Sequence, residues 1–466
     1  MQPAASIFKA YDIRGVVDDT LTEPVVRAIG MALGLMVARA GGKSCVVGRD
    51  GRLSGPRLVD ALADGLMASG IDVLDVGQVP TPVVYYGTVK SGAGSGVAVT
   101  GSHNPPQYNG LKMMVAGTTL WGDAITQIRG LIISGEAQRY ADGLDANRRG
   151  RRIPSPDIVK DYADAIVQDI KLARGMAIAV DAGNGVAGGM APDLLERLGC
   201  NVQRLFCEVD GNFPNHHPDP AHVENLQDLI HCVKNTDAEI GLAFDGDGDR
   251  LGVVTKSGAI IWPDRQLMLY AAEVLAAHPG GQIIFDVKCT RHIASWVREH
   301  GGVPLMWKTG HSLIKAKLKE TGAPLAGEMS GHIFFNDRWH GFDDALYTAA
   351  RLLEIVSRVE NSSALLESLP DSIATPELQL ATQEGENFSV VERLRQEGRF
   401  PTAKERITID GIRVEYADGF GLARPSNTTP VIVLRFEADN SAALARIQSE
   451  FRDNFSRLLP DSRLPF

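Results

Sequence analysis

Cysteine is scarce in this chain. Its 466 residues hold five, an odd number, and Cys45, Cys200, Cys207, Cys232 and Cys289 never form a C-x-x-C pair. A disulfide framework is excluded, and each thiol lies in or near an apolar stretch, as a buried, reduced cysteine does. Basic runs are missing as well. Asp and Glu (57) outnumber Lys and Arg (47), for a net charge of −10. With no Lys/Arg cluster, nucleic acid is excluded as the main partner. A local basic cleft for a small anion remains open. Long apolar runs are also lacking: near the start the longest uncharged one, Ala28–Ala38, is too short for a bilayer. The first residues show no basic-then-apolar targeting pattern. The expectation is a cytoplasmic protein without membrane association.

What is present is ordinary globular material, 44% hydrophobic and 22% charged, in a chain too long for one core. One unit recurs. Ser44–Asp50 reads as a buried strand breaking into a loop, followed by a helix to Ser69, Gly70, and a strand at Ile71–Val76. Met176–Val180 runs into Asp181-Ala182-Gly183-Asn184-Gly185, then a helix to Leu198, Gly199, and a strand at Val202–Phe206. Gln282–Phe285 runs into Asp286-Val287-Lys288-Cys289, then a helix to His300, Gly301-Gly302, and a strand at Val303–Trp307. Three such strand–helix–strand units imply three similar α/β domains in tandem. A linker is read at Asp142–Pro156. The final stretch differs, with strand-like Ile407–Tyr416 and Val431–Ala438 and a helical Ser441–Phe455. The fold expected is therefore α/β, with domains at 1–150, 151–256 and 257–368 and a smaller C-terminal α+β domain at 369–466.

Four stretches carry chemistry. Val97–Pro106 is a short strand entering a rigid Gly/Pro loop that holds Ser102 in a set position. Ser in such a loop is commonly a turn residue, so the other stretches decide its meaning. Ile240–Phe244 ends in Asp245-Gly246-Asp247-Gly248-Asp249-Arg250, where the glycines let three carboxylates converge. Their repulsion calls for a cation, and hard oxygen ligands favour Mg²⁺, Mn²⁺ or Ca²⁺. Arg250 and Lys256 stand where an EF-hand needs Gly and Glu, which excludes that motif. Gly327-Glu328-Met329-Ser330-Gly331-His332 suits a polyol. Arg424-Pro425-Ser426-Asn427-Thr428-Thr429 reads as a turn suited to phosphate. Gly183-Asn184-Gly185-Val186-Ala187-Gly188 matches G-x-G-x-x-G, with Glu208 near a ribose-acid position, but a lone match is weak evidence for a dinucleotide.

Together the four motifs, in this order, resemble the α-D-phosphohexomutases over nearly the whole chain, from Lys9-Ala10-Tyr11-Asp12-Ile13-Arg14-Gly15 onward. The resemblance implies four domains around a central cleft. It implies that Ser102 carries a phosphoryl group, and that Asp245, Asp247 and Asp249 hold one Mg²⁺ with Ser102 as a further ligand. Glu328 and Ser330 would read the sugar; Arg424, Ser426, Asn427 and Thr428 would bind phosphate; Tyr11, Lys288 and His311 would join the substrate site. Arg14, Lys112, His332 and Arg250 would move protons or stabilise transferring charge, the base among them left open; Lys112 in that role needs neighbouring cations to lower its pKa. Hexose phosphates are the implied partners and a hexose 1,6-bisphosphate the intermediate and activator, in a monomer or weak oligomer. Met329 and Gly101 stand where the phosphoglucosamine branch typically has Gln and Ala. A sugar-phosphate sensor would need neither Ser102 nor the three Asp, and a phosphatase would not need the Arg424 loop.

Overall fold

The computed structural model describes residues 1–427, 429–460 and 462–466. Among them, four sheets follow one another along the chain. In the first, the parallel strands Asp72–Gln78, Ser44–Arg49 and Gly96–Val99 lie side by side in that order, and Tyr108–Val115 pairs antiparallel with the last. In the second, the same places are taken by Asn201–Leu205, Ala177–Asp181, Ile240–Phe244 and antiparallel Leu251–Thr255. In the third they are taken by Val303–Trp307, Gln282–Asp286, Leu325–Gly327 and antiparallel Ile333–Phe335. The expected repeat is thus a repeat of topology. Its sequence signature has a local cause: Gly70, Gly199 and Gly301, at φ 82°, 102° and 77°, end the first crossover helix of each unit in the left-handed conformation that favours glycine.

In each unit the third strand is buried along its whole length, as expected of parallel strands covered on both faces. Its C-terminal end opens into the hairpin leading to the antiparallel fourth strand. Ser102 sits in that hairpin in the first unit, Asp245–Asp249 in the second and Glu328–His332 in the third. One topological position therefore supplies all three motifs.

The three units share a core. Tyr86 from the first, Tyr162 from the second, and Trp339 and Tyr347 from the third belong to one buried cluster. Trp339 stacks between Tyr86 (5.6 Å) and Tyr347 (4.4 Å). Asp344 accepts hydrogen bonds from Tyr162 Oη (2.7 Å) and Trp339 Nε1 (3.0 Å). This aromatic joint fixes the mutual placement of the three hairpins.

The last unit is an antiparallel sheet backed by the helices Glu386–Glu397 and Ser441–Leu458, with its own core. Ile407–Tyr416 is not one strand: Glu405–Ile407 and Ile412–Glu415 form a hairpin, with Gly411 at φ 73° between them. The stretch read as a linker contributes Arg152–Pro154 to the first sheet, parallel to Asp72–Gln78, and Ile260–Ile261 still pairs within the second. Sheet pairing thus carries both units slightly past the boundaries read from composition. No helix among the described residues is long and apolar enough to cross a membrane.

The fourth unit docks through two buried arginines on the loop after Gln282–Asp286. Arg413 donates to the carbonyls of Val287 (2.7 Å) and Cys289 (2.6 Å) and lies 3.6 Å from the Phe420 ring centroid. Arg435 donates to the carbonyl of Lys288 and to Asp264. Arg413→Ala would leave two buried carbonyls unpaired, a cost on the order of 2–4 kcal/mol. The expected outcome is a lower melting temperature and faster protease cleavage in the connector at 369–377, followed by calorimetry and limited digestion.

Candidate active site

The hairpin of the first unit holds Ser102 wholly buried, with φ at 50°. A non-glycine residue is uncommon there and must be held by its surroundings. Part of the hold comes from Asp50 at the end of the first strand, whose Oδ2 accepts from Thr100 Oγ1 (2.7 Å) and Gly101 N (3.2 Å). Thr100 Oγ1 in turn accepts from Ser102 N (2.8 Å). Ser102 Oγ then lies 3.1 Å from Asp245 Oδ2 and 3.2 Å from His103 Nδ1. Burial, then the cations Arg250, Arg14 and Lys112, hold His103 well below the usual imidazole range, so a neutral ring borders the hydroxyl.

The hairpin of the second unit presses against the first. A Cβ on Gly246 would fall 2.3 Å from the Ser102 carbonyl oxygen, so only glycine permits this approach. Asp245 Oδ1 accepts from the backbone N–H groups of Asp249 and Arg250, both at 3.1 Å, which curls the loop. Asp245, Asp247 and Asp249 are fully enclosed and offer oxygens within 4.8 Å of one another. Burial and the two neighbouring carboxylates push Asp245 well above the usual carboxylate range. Burial also acts on Asp249, but Lys112 and His332 outweigh it and hold that group well below the range. Asp247 Oδ1 and Asp249 Oδ1 make no hydrogen bond among the described residues. Three converging hard oxygen donors fit a divalent cation such as Mg²⁺.

Lys112, from the fourth strand of the first unit, reaches both Asp247 Oδ2 (2.7 Å) and Asp249 Oδ2. Burial works against its charge, but the carboxylates of Asp247, Asp249 and Asp245 outweigh it and raise its pKa above the usual value. Its neighbours are therefore anions, not the cations that a base at this position requires. Arg14 donates to Asp12 (2.6 Å) and to Asn104 Oδ1 (2.9 Å) on the serine hairpin.

In the third unit, Glu328 Oε1 accepts from Gly310 N (2.6 Å). Ser330 Oγ lies 3.0 Å from His332 Nδ1, and His332 Nε2 lies 3.4 Å from Asp249 Oδ1 and 3.3 Å from Arg250 Nε. Burial opposes a charge on His332, yet Asp249 foremost carries it up to about 9. Ser102, the three Asp, Lys112, Arg250, Glu328, Ser330 and His332 thus form one contiguous cluster. His311 extends it, its ring 5.4 Å from that of His332 and 6.4 Å from that of Tyr11.

Tyr11 leads to a second, basic group. Its hydroxyl donates to the Thr309 carbonyl (3.0 Å) and accepts from Asn427 Nδ2 (2.5 Å), which joins the first, third and fourth units. Arg424 donates from Nε to Asp410 (3.0 Å), and Lys288 donates to Glu377 (2.8 Å). Arg424 lies in the strand Gly419–Pro425, not in the turn that its neighbours suggested. Ser426 Oγ lies 3.0 Å from Thr429 Oγ1; Thr428 lies outside the described residues. The glycines of Gly183–Gly188 serve packing: a Cβ on Gly185 would meet Gly246 at 3.0 Å, and one on Gly188 the Cys207 carbonyl at 2.3 Å. Asn184 Nδ2 donates to the Glu208 carbonyl (2.9 Å), tying this turn to the segment after the next strand.

Sequence reasoning missed Asp343, fully enclosed, 2.8 Å from Lys315 Nζ and 3.4 Å from His311 Nδ1. It also missed Glu377, Asp410 and Thr81, the last donating to Asp247 Oδ2 (2.6 Å). Only the Asp343-Asp344 doublet after an aromatic run was a visible signal.

Family models agree with this layout. Those for phosphoglucomutase/phosphomannomutase alpha/beta/alpha domains I, II and III match residues 5–139, 160–258 and 262–373, and that for the C-terminal domain matches 354–454. A phosphoglucomutase of Neisseria gonorrhoeae is 56% identical over 447 residues, 96% of each chain. A phosphomannomutase/phosphoglucomutase of Pseudomonas aeruginosa is 53% identical over 463 residues, 99% of this chain and 97% of that one. The crystal structure of a phosphoglucomutase/phosphomannomutase family protein from Burkholderia thailandensis superposes with a TM-score of 0.93 at 59% identity, covering 99% of this chain and all of that one. Fold and site together define an α-D-phosphohexomutase. Within that class the chain belongs to the phosphoglucomutase/phosphomannomutase family, and it is a mutase, an isomerase by reaction type.

Mg²⁺ is expected to raise the melting temperature of the protein, and Asp247→Asn to abolish most of that rise, as read by thermal shift across an Mg²⁺ titration. An equal rise in the variant would exclude this loop as the metal site.

Proposed function

We propose that the protein interconverts the 1-phosphates and 6-phosphates of glucose and mannose through phospho-Ser102 and a hexose 1,6-bisphosphate. The observation that carries the reading is the enclosed Ser102 Oγ, 3.1 Å from Asp245 in a loop of three converging carboxylates. Relatives named for both phosphoglucomutase and phosphomannomutase support it, as do Met329 and Gly101, which depart from the phosphoglucosamine pattern.

Phosphoryl transfer depends on positioning and charge neutralisation. Ser102 carries the phosphoryl group and presents it along one line. A divalent cation held by Asp245, Asp247 and Asp249, with Ser102 as a further ligand, would neutralise charge on the transferring group. Lys112, cationic between Asp247 and Asp249, and Arg250 beside His332 add positive charge at the same point. Arg14 steadies the serine hairpin through Asn104. Glu328 and Ser330 grip sugar hydroxyls that remain in place when the ring turns over, which leaves C2 unread and admits both hexoses. The distal phosphate rests on Arg424, Ser426 and Asn427, with Lys288, His311 and Tyr11 around it; Thr428 joins this set by motif. A substrate hydroxyl takes the phosphoryl group from Ser102, the bisphosphate reverses, and Ser102 recovers the other phosphoryl group. The sugar and phosphate loops all come from one chain, so the cleft is complete in a monomer or weak oligomer.

Coupled assays with glucose 1-phosphate, mannose 1-phosphate and glucosamine phosphate test the substrate class, with the first two turned over comparably and the third poorly. Intact-mass analysis of active protein is expected to show one phosphate mapping to the Ser102 peptide, and Ser102→Ala to abolish turnover; full activity in that variant rules out Ser102 as the carrier.

If one loop receives the distal phosphate in both orientations, Arg424→Ala raises KM for 1-phosphate and 6-phosphate substrates alike. The expected rise is about 10- to 100-fold, the range for losing charged hydrogen bonds. Impairment of only one orientation would refute the shared loop.

A further inference from the structure

Arg52 is among the largest wholly enclosed side chains of the protein, and the reaction described above makes no use of it. It follows the strand Ser44–Arg49 in the sequence Asp50-Gly51-Arg52. A guanidinium has five N–H donors in a rigid plane, and here every one is engaged. Nε donates to Asp50 Oδ2 (3.1 Å). Nη1 donates to the carbonyls of Pro105 (2.7 Å) and Tyr108 (2.9 Å). Nη2 donates to the carbonyls of Ser102 (2.8 Å) and Asn104 (2.5 Å). Four of the five acceptors are main-chain oxygens of the single hairpin that carries Ser102. The fifth, Asp50, holds the same hairpin from its other side through Thr100 and Gly101. Phe213, from the second unit, covers the guanidinium at 5.2 Å, so the group is also fixed relative to the aspartate loop.

We infer that Arg52 is the positioning residue for phosphoryl transfer: its planar fork, gathering the carbonyls of Ser102, Asn104, Pro105 and Tyr108, sets the position and left-handed backbone of Ser102. The inference rests on Ser102 being the phosphoryl carrier. Carbonyls gathered at one point repel unless a donor lies among them, and here the donor is the Arg52 guanidinium. Pro105 and Pro106 supply no N–H donors, and the hairpin's own N–H groups reach Gly101 O (from Asn104) and Pro105 O (from Tyr108), whereas the Ser102 and Asn104 carbonyls are met by Arg52. A lysine would bring the same charge but only three donors from a point, without the fork. Arg52 touches neither the hydroxyl of Ser102 nor the aspartate loop. Its loss should therefore act on the alignment of the reacting oxygen and leave sugar and distal-phosphate binding intact.

The test is steady-state kinetics on the full-length protein with glucose 1-phosphate, at saturating Mg²⁺ and glucose 1,6-bisphosphate. Wild type is compared with Arg52→Lys and Arg52→Ala, with Ser102→Ala alongside. The expected result for Arg52→Lys is a kcat about a hundredfold lower, the scale of a displacement near 1 Å, with KM within about threefold of wild type. In Arg52→Ala, guanidinium ion at sub-denaturing concentration should restore about tenfold of the lost kcat, while ammonium at the same concentration should not. A kcat for Arg52→Lys within about threefold of wild type overturns the inference, as does a loss expressed chiefly in KM, or soluble Arg52→Ala that gains nothing from guanidinium. Should Arg52→Ala fail to fold, Arg52→Lys decides alone. An active Ser102→Ala would instead defeat the carrier reading; an inactive Ser102→Ala beside a wild-type-like Arg52→Lys would defeat only the clamp.

Discussion

Everything in this molecule is arranged around one electrostatic constraint: three carboxylates enclosed at a single point. Taking like charges out of water is costly unless opposite charge is brought to them. Asp245, Asp247 and Asp249 belong to the second unit. Their compensation comes from Lys112 in the first, Arg250 in the second and His332 in the third. Part of the compensation for this cluster thus comes from outside the second unit. The docking of the three sheets therefore brings these charges together, and the aromatic joint of Tyr86, Tyr162, Trp339 and Tyr347 supplies an apolar part of its stabilisation.

The repeat explains how such a site is built. Each unit delivers one loop from the same place, the hairpin after its third strand. A strand buried along its length gives that loop a rigid base. The aspartate ending the first strand of a unit serves as a local brace in two of the three: Asp50 takes N–H and hydroxyl groups of the serine hairpin, and Asp286 accepts from Met329 N of the Glu328–His332 hairpin (3.2 Å). In the second unit, Asp181 turns to His216 instead (3.0 Å). There the aspartate loop is curled by its own first carboxylate, Asp245.

The sequence made the loops legible because their chemistry is contiguous: a hydroxyl between Gly and Pro, carboxylates alternating with glycine, an acid and an imidazole in one turn. The spacing from each strand-end aspartate to its helix-ending glycine likewise betrayed the repeat, since both residues have strict local roles. Groups whose meaning comes from a partner far along the chain stayed hidden. Asp343 matters through Lys315 and His311, and Glu377 through Lys288, and no local pattern marks these pairings. Lys112 showed as a cation near the site, but its pairing with two carboxylates depends on a contact between units. Arg424 looked like a turn residue because Pro425–Asn427 favour turns, whereas the pairing of Gly419–Pro425 with Val431–Ala438 keeps it in a strand.

If Ser102 carries the phosphoryl group as proposed, its complete enclosure bears on a competition that any phosphoenzyme faces. A phosphoryl group on serine can pass to a sugar hydroxyl or be lost to solvent. Oriented groups in a site reach effective concentrations of about 10⁵ M or more, and a hydroxyl seated beside Ser102 gains that advantage while bulk water, held off by the packed hairpins, does not. The ratio of productive transfer to futile hydrolysis is then set by burial and not by the intrinsic reactivity of the phosphoester. A chain with the same reactive groups on an open surface would drift towards phosphatase behaviour. On the proposed function, the enclosure of Ser102 would protect its phosphoryl group by giving water nowhere to stand.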